Sequence, residues 1–505
     1  MLNIIKHKIF LFIQFISIFI ILTSSSLSST QILNDDILLE KFEPNHSILN
    51  HINEDNKQIK ILYPLMSIPE LVEKDDQIKI DFESDEFDNI FAFITTAFEP
   101  VEDKIWLNLI SVIYKDHYWE SLFLIPEDSP PELYNLTVIV QKDSKFYSDS
   151  CPNSLAIYDE IGDDFTIAHV ADFHVGDPRG FLESINETLG FKSIKRCISE
   201  INLMNPDMVL ISGDLVFGQL YPFEYSLEYK KCYEILQLFD VPTFIVPGNH
   251  DGYYRFKEDG LEFWKEYFGP LFYSFNFGNY HFMGINSFDW PPILRLSVLF
   301  IALNWGGSIQ EEQLNWIEQD LKDSNASLTF MFMHHNPIWE TKNNSLLRMG
   351  YKNRQRLLEI INENNVNMVL AGHVHVDTVN KKNNTIFITT TTPESEIRKQ
   401  DGYWGYRLIE IRDGIINSYN YKEPKYSIPT YKLKCEYMDI YNAKITNELE
   451  MDVNVLLKFS VPIDNYIPNI GNITLVRNNE YMQQVYVEAD VAEKSITNVF
   501  LTPIQ

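Results

Sequence analysis

The chain is short of cysteine, of basic charge and of long apolar runs, and each shortage narrows the reading. Four cysteines in 505 residues, Cys151, Cys197, Cys232 and Cys435, are too few for a scaffold built from disulfides. They are compatible with two bridges in an oxidising compartment, and three pairings stay open. Cys197 and Cys232 each fall in a predicted helix behind a motif strand, which would make them neighbours on one face. Lysine and arginine number 41 against 71 acidic residues, a formal net charge of −30. A field of that sign repels polyanions unless a local basic patch overrides it. No such cluster occurs, so nucleic acid is excluded as a partner. There is no internal repeat and no low-complexity tract.

The N-terminal segment has a targeting pattern. Lys6 and Lys8 precede an apolar run from Ile9 to Leu22, followed by Thr23, Ser24, Ser25 and Ser26. This pattern predicts a signal peptide over residues 1–26 and a secreted or lumenal protein, of endosomal, lysosomal or vacuolar address. Gln14 and Ser17 interrupt the run, and it falls short of the roughly 20 apolar residues a spanning helix needs, so an uncleaved anchor is the weaker alternative. Glycosylation sequons begin at Asn45, Asn135, Asn186, Asn325, Asn343, Asn383 and Asn472. In so asparagine-rich a chain they support a secreted glycoprotein only mildly.

The length predicts two or three domains. Residues 31–160 alternate in the manner of strands, as in Ile78-Lys79-Ile80-Asp81-Phe82, with acidic and proline-rich turns between, and predict an N-terminal β-sandwich domain. From 164 to 416 short apolar runs alternate with helical stretches, the pattern of buried strands with crossover helices and an α/β architecture. Residues 417–505 predict a C-terminal β-rich region. Leu296 to Leu303 is apolar apart from Ser297 and follows Pro291 and Pro292. A buried connector is the simplest reading, with a lipid-facing segment or substrate-covering lid as the alternative.

Five polar clusters stand at the carboxyl ends of the apolar runs: Asp172-Phe173-His174, Gly213-Asp214, Gly248-Asn249-His250-Asp251, His334-His335-Asn336-Pro337 and Gly372-His373-Val374-His375. Ligands bind in the crevice outside the carboxyl ends of strands in open α/β sheets, because the loops converge there. Carboxylates, an amide and imidazoles without a thiolate form a donor set for hard or borderline divalent ions. Alternate residues of an extended segment point the same way, so Asp172 with His174, and His373 with His375, can each reach one site. Glycine ahead of Asp214, Asn249 and His373 is expected to let the backbone turn sharply off the strand. His169 is expected to fill the sheet, and His281 to occupy a hairpin.

The ordered series Asp-x-His, Gly-Asp, Gly-Asn-His-Asp, His-x-Pro and Gly-His-x-His resembles the calcineurin-like metallophosphoesterase superfamily, over roughly Asp164 to Tyr406. The resemblance implies a four-layer fold of two mixed β-sheets flanked by helices, and two divalent metal ions (zinc, manganese or iron). It implies one ion on Asp172, His174 and His375, a second on Asn249, His335 and His373, and Asp214 between them. His335 is preferred over His334 because it lies two residues before Pro337. Hydroxide held by the metal pair would attack the phosphoester, two cations about 3.5–4 Å apart being able to clamp a phosphoryl group. His250 would neutralise developing charge or protonate the leaving oxygen, and Asp251 could orient its ring. Phe217 stands where purple acid phosphatases carry a ligating tyrosine and Ser/Thr protein phosphatases an aspartate, so neither subclass is implied.

The expected activity is hydrolysis of a phosphomonoester or phosphodiester. The substrate is a small-molecule or lipid-linked ester chosen by the loops 177–188, 286–307 and 339–350, with peripheral membrane contact through 291–305. The alternative is a secreted, non-catalytic binding protein on the same fold, for which loss of a ligand would have been the signature.

Overall fold

The computed structural model describes residues 58–96, 104–177, 189–219, 224–255, 258–298, 301–339, 350–393, 404–422, 426–478 and 482–504. The expected signal peptide, the sequons at Asn45, Asn186 and Asn343, and most of the loops 177–188 and 339–350 lie outside these residues. Among the described residues no helix is long and apolar enough to cross a membrane.

The centre of the molecule is a pair of six-stranded mixed sheets. In the first, β1 (Phe165–Val170), β2 (Met208–Ser212) and β3 (Thr243–Val246) run parallel. The second contains β4 (Tyr273–Phe277), β5 (Tyr280–Ile285), β6 (Leu328–Met333), β7 (Met368–Ala371), β8 (Thr378–Lys382) and β9 (Thr385–Thr389) in the order β4-β5-β6-β7-β9-β8. On the other side of β1 the first sheet continues antiparallel into β10 (Gly405–Arg412), then β11 (Ile415–Ser418), with β12 (Ile428–Pro429) also on β10. β5, β6, β7 and β9 are mutually parallel, and β4 and β5 form the hairpin that Gly278-Asn279 signals.

Period-two burial explains how the sheets stack. Phe165 and Ile167 of β1, Met208 and Leu210 of β2, and Phe244 and Val246 of β3 meet Phe282, Phe330, Phe332, Met368 and Leu370 of the second sheet in one core. The intervening residues point outward. Ala168, Val170, Val209, Ile211 and Ile245 pack on α1 (Leu189–Met204), α2 (Tyr225–Leu236) and α3 (Gly260–Phe268). Met283, Met331 and Val369 pack on α4 (Glu311–Asp323) and α5 (Arg354–Glu363). The layers therefore run helix, sheet, sheet, helix, and strand outweighs helix, 49% to 15% of the chain. Each helix buries one stripe, as with Ile194, Cys197, Ile198 and Ile201 of α1, the spacing of an amphipathic helix seated on a sheet.

Before this unit, a four-stranded and a five-stranded antiparallel-rich sheet share a core that includes Ile78, Ile80, Phe82, Phe123, Leu136 and Val138. After it, a four-stranded and a three-stranded sheet bury Val455, Leu457, Phe459, Val485, Val487 and Val499 in the same cluster as α1 and α2. Arg477 of the last segment and Glu132 of the first form a buried ion pair, and Tyr486 donates to the same carboxylate. All four cysteines are free thiols; Cys197 and Cys232 share a cluster but form no bridge. The two bridges considered from composition are therefore absent, and apolar packing does the joining.

Within the central core, the Phe282 ring stacks on Phe275 and Phe330, with centroids 4.9 Å away on each side. Replacing Phe282 by alanine opens a cavity between two rigid sheets. We expect a loss of about 3–5 kcal/mol in unfolding free energy, read as a lower denaturant midpoint at unchanged m-value; a loss under about 1 kcal/mol would show that the sheets close over the gap.

Candidate metal centre

The five motif loops leave the carboxyl ends of β1, β2 and β3 in one sheet and β6 and β7 in the other, and the packed core between the sheets brings them together. Their backbone is unusual. Asp172, His174, Asp214, His373 and His375 have φ of 62°, 50°, 54°, 76° and 54°, the left-handed region that non-glycine residues seldom enter and that clusters at functional sites. This replaces the expectation of an extended segment with alternate side chains on one face: the pairs converge because the chain kinks at each ligand-bearing residue. Of the glycines, Gly213 supplies the expected turn, with a φ of 78°. Gly248 and Gly372 are required for close approach: a Cβ on either would lie 2.1 Å from Asp214 Oδ1 or 2.6 Å from Asp172 Oδ2.

Each buried carboxylate accepts a backbone N–H from a neighbouring loop and also faces imidazole nitrogens. Asp214 Oδ1 accepts the His250 backbone N–H at 2.8 Å, tying the second motif to the third. Its Oδ2 faces His334 Nε2 at 3.0 Å, His174 Nε2 at 3.7 Å and His250 Nε2 at 4.0 Å. Asp172 Oδ2 accepts the His373 N–H at 2.9 Å, while Oδ1 lies 3.1 Å from His375 Nε2. His174 Nε2 and His375 Nε2 are 3.2 Å apart.

His334 occupies the position expected of His335. Its Nδ1 bonds the Ser212 carbonyl at 2.7 Å and so carries the hydrogen. That tautomer leaves Nε2 with a lone pair aimed at Asn249 Oδ1, 3.0 Å away, at Asp214 Oδ2 and at His373 Nδ1, 3.2 Å away. The Asn249 amide is turned this way because its Nδ2 donates to the Tyr253 hydroxyl at 2.5 Å. His335 has both nitrogens engaged elsewhere, Nδ1 with Ser287 Oγ and Nε2 with the Trp305 carbonyl, each at 3.0 Å. The structure thus gathers Asp172, His174, Asp214, Asn249, His373 and His375, brings in His334, and leaves His335 behind His373, the two rings tilted at 44° with centroids 4.4 Å apart.

Three overlapping groups of donors result: Asp172 with His174 and His375, Asp214 with His334 and His373, which Asn249 Oδ1 joins, and His174 with Asp214 and His250 between them. Lone pairs that face each other at 3.0–3.7 Å repel unless a cation lies between them. Separations of that size are the edges of a coordination polyhedron with metal–ligand bonds of about 2.0–2.2 Å. The residues therefore fit divalent ions, and the titration behaviour agrees. Burial works to raise the Asp172 and Asp214 carboxyls, yet the imidazoles around them hold both below the usual range. Burial works to lower His334, but Asp214 and Asp172 push it up to about 9. Burial presses His373 well down and His335 to about 3.

His250 is placed for proton work. Its Nδ1 donates to the Phe217 carbonyl at 2.5 Å, and its ring lines a cavity of about 470 Å³ together with Asp214, Gln219, Asn249, His373 and His375. Burial pushes the ring down to about 4. Asp251 does not orient it. The Asp251 carboxylate is fully buried and accepts the N–H of Val216 at 3.0 Å and of Gly248 at 2.7 Å. It pins the Asp214 loop to the Asn249 loop and is a positioning residue; burial and the Asp214 charge push it up to about 7. His169 is a satisfied core histidine between Thr390 and Ser212, and His281 bridges Asn276 and Asp320 beside the hairpin.

Known proteins resemble the central part of the chain. Residues 165–377 match the family model of the calcineurin-like phosphoesterases. The chain carries a calcineurin-like phosphoesterase domain. A probable glycerophosphodiester phosphodiesterase of Arcobacter nitrofigilis is 28% identical over 46% of this chain and 79% of its own length. The 3',5'-cyclic adenosine monophosphate phosphodiesterase CpdA of Haemophilus influenzae is 25% identical over 48% of this chain and 86% of its own. Among solved structures, GAP50, the anchor in the inner membrane complex of Plasmodium, aligns with 54% of this chain and 91% of its own, at 13% identity and a TM-score of 0.33.

Two outcomes follow for the calcineurin-like domain. His334→Ala removes a nitrogen aimed into the donor set, so bound zinc or manganese, measured by plasma emission, falls by about one equivalent, whereas His335→Ala retains it; the reverse pattern would restore the assignment made from spacing. His334 is protonated at neutral pH in the metal-free protein because it sits at about 9. Metal uptake at pH 7 therefore releases its proton, and apparent affinity rises about tenfold per pH unit between pH 6 and 8, measured by calorimetry in buffers of different ionisation enthalpy.

Proposed function

We propose that this protein is a metal-dependent phosphodiesterase acting on small phosphodiesters. The observation that carries the reading is the convergence of Asp172, His174, Asp214, Asn249, His334, His373 and His375 in one cluster, of which Asp214, Asn249, His373 and His375 line the pocket together with His250. A preference for diesters is supported by the relatives, which are named for glycerophosphodiesters and for a cyclic nucleotide. The first ion would be held by Asp172, His174 and His375, the second by Asn249, His334 and His373, and Asp214 Oδ2 would face both. Two divalent ions in those positions would supply Lewis acidity, activating water and offsetting the charge of the phosphoryl group.

The rest of the chemistry falls to the chain. Gly213, Gly248 and Gly372 let the carboxylates of Asp214 and Asp172 close on neighbouring loops, fixing the donors before substrate arrives. His250 holds its Nδ1 hydrogen on the Phe217 carbonyl and leaves Nε2 toward the cavity. A bound phosphodiester anion favours the protonated ring, and the Nε2 proton then passes to the departing oxygen. Lipid-linked phosphodiesters belong to the same proposed class, and exposed apolar residues within 291–305 support a peripheral membrane contact. The flanking segments 31–160 and 417–505 are proposed as non-catalytic domains around a catalytic domain over 164–416. Export through residues 1–26, to a secreted or lumenal location, is part of the same proposal. The donor set retains every ligand type the family motifs call for, which disfavours a purely binding role.

Bis(p-nitrophenyl) phosphate and p-nitrophenyl phosphate, each with Mn²⁺, Zn²⁺ or Fe²⁺, test the reading. We expect turnover with the diester ahead of the monoester, and none in chelator. Asp214→Asn should remove at least about three orders of magnitude of kcat. Inertness with every metal would refute hydrolysis. His250→Gln should lower kcat by about 10²–10⁴ for an alkoxide leaving group, and far less for p-nitrophenolate, which needs no proton to depart.

A further inference from the structure

Leu296 to Leu303 was expected to be a buried connector, with a lipid-facing segment or substrate-covering lid as the alternative, and its described residues include the exposed Val298 and Ile301. Ser297–Val298 pairs with Ile301–Ala302 in a short antiparallel hairpin. Its root is built into the protein. The buried Arg295 guanidinium forms a two-pronged ion pair with Asp259, at 2.6 and 2.8 Å, and its Nη1 and Nε also donate to the Gly252 and Trp290 carbonyls at 2.7 Å. The Tyr254 N–H donates to the Arg295 carbonyl at 2.8 Å, and the Trp290 indole N–H donates to the Gly306 carbonyl at 2.5 Å. These contacts lock the hairpin to the segment that carries Asn249, His250 and Tyr253. Its tip has the opposite character: Val298 is 39% exposed and Ile301 56%.

The tip and the metal donors share a cavity. Ile301, Ala302 and Trp305 form one wall of the same 470 Å³ space whose other wall is Asp214, Asn249, His250, His373 and His375. The Trp305 carbonyl is fixed by His335, whose ring lies tilted against that of His373, so the apolar wall is coupled to the donor set through a hydrogen bond and a ring contact. A rigid root with exposed apolar side chains beside a polar reaction centre is costly in water unless something apolar covers those side chains during function. The occupant follows from the pocket itself: a molecule that places a phosphate among the histidines must extend its next few atoms along Ile301 and Trp305.

We propose that Ile301, Ala302 and Trp305 are the subsite for an apolar substituent esterified to the phosphate, so that the preferred substrates are phosphodiesters bearing a hydrocarbon group. This rests on the phosphodiesterase reading and names its substrate class. The wall discriminates by removing hydrocarbon from water, a factor of about four in affinity for each methylene fully buried. A polar substituent of equal size is disfavoured against Ile301 and Ala302, whose side chains give it no hydrogen-bond partner.

The test uses the full-length, metal-loaded protein and alkylphosphonates, which bind without being cleaved. Calorimetric dissociation constants for methyl-, propyl- and hexylphosphonate should tighten at least about tenfold from methyl to hexyl. Ile301→Asn, on an exposed side chain that the fold does not depend on, should shrink the hexyl-to-methyl ratio several-fold, as should Trp305→Ala. Absence of binding, constants independent of chain length, or a gradient that survives both substitutions overturns the subsite. Hydrolysis of methyl p-nitrophenyl phosphate by the unsubstituted protein reports on the phosphodiesterase reading alone. Turnover with a flat phosphonate series would leave hydrolysis standing without the subsite, and a steep series without turnover of any diester would do the reverse.

Discussion

Asp214 Oδ2 and Asn249 Oδ1 each lie 3.0 Å from His334 Nε2, and the hydrogen on the other nitrogen of that ring is taken by the Ser212 carbonyl. Three lone-pair donors held that close need a positive charge among them, whether a proton or a metal ion. The surrounding structure can be understood as the means of holding this arrangement. Backbone N–H groups of His250 and His373 take the outer oxygens of Asp214 and Asp172, and Asp251 ties the loops on which Asp214 and Asn249 stand. Behind them Thr390 holds His169 and Thr392 donates to the Asp172 carbonyl. The left-handed backbone at five donor residues costs free energy that the stacked sheets offset through the core of Phe282, Phe330, Phe332 and Leu370.

Much of this was legible in the residues. The strands from Phe165, Met208, Phe244, Leu328 and Met368 announce themselves as short apolar runs ending in polar clusters, because parallel strands buried on both faces have no alternation to hide them. Six of the seven expected metal donors lie together for the same reason: a ligand must follow a strand directly if the strand is to aim it. The helix over Arg354–Glu363 escaped notice because its apolar residues, Leu357, Leu358, Ile360 and Ile361, lie next to a polar, asparagine-rich stretch. The choice between His334 and His335 could not be made from spacing. The proposed choice turns on Ser212, Ser287 and Trp305, which lie 122, 48 and 30 residues away and touch these rings only after folding. Asp251 misled for a related reason, since adjacency to His250 in sequence says nothing about which backbone amides its carboxylate will meet. Tyr253, four residues beyond Asn249, left a local trace that could have been read as the partner of the amide.

The hairpin over Ser297–Ala302 joins the two halves of the account. An apolar stretch too short to span a bilayer suggested a buried connector on average grounds, yet Arg295 and Asp259 consume the buried positions at its root and leave Val298 and Ile301 outside. What composition alone could say was limited to charge. At −30 the protein's field opposes any polyanion, and a pocket whose positive charge would come from two bound ions suits a singly charged ester better than a polymer.

Anomalous diffraction from crystals grown with Mn²⁺ or Zn²⁺ tests the central claim most directly. The account predicts two peaks about 3.5–4 Å apart, one bounded by Asp172, His174 and His375 and the other by Asn249, His334 and His373, with Asp214 Oδ2 between them. A single peak, or a His335 ring turned into the cluster with His334 displaced, would contradict it.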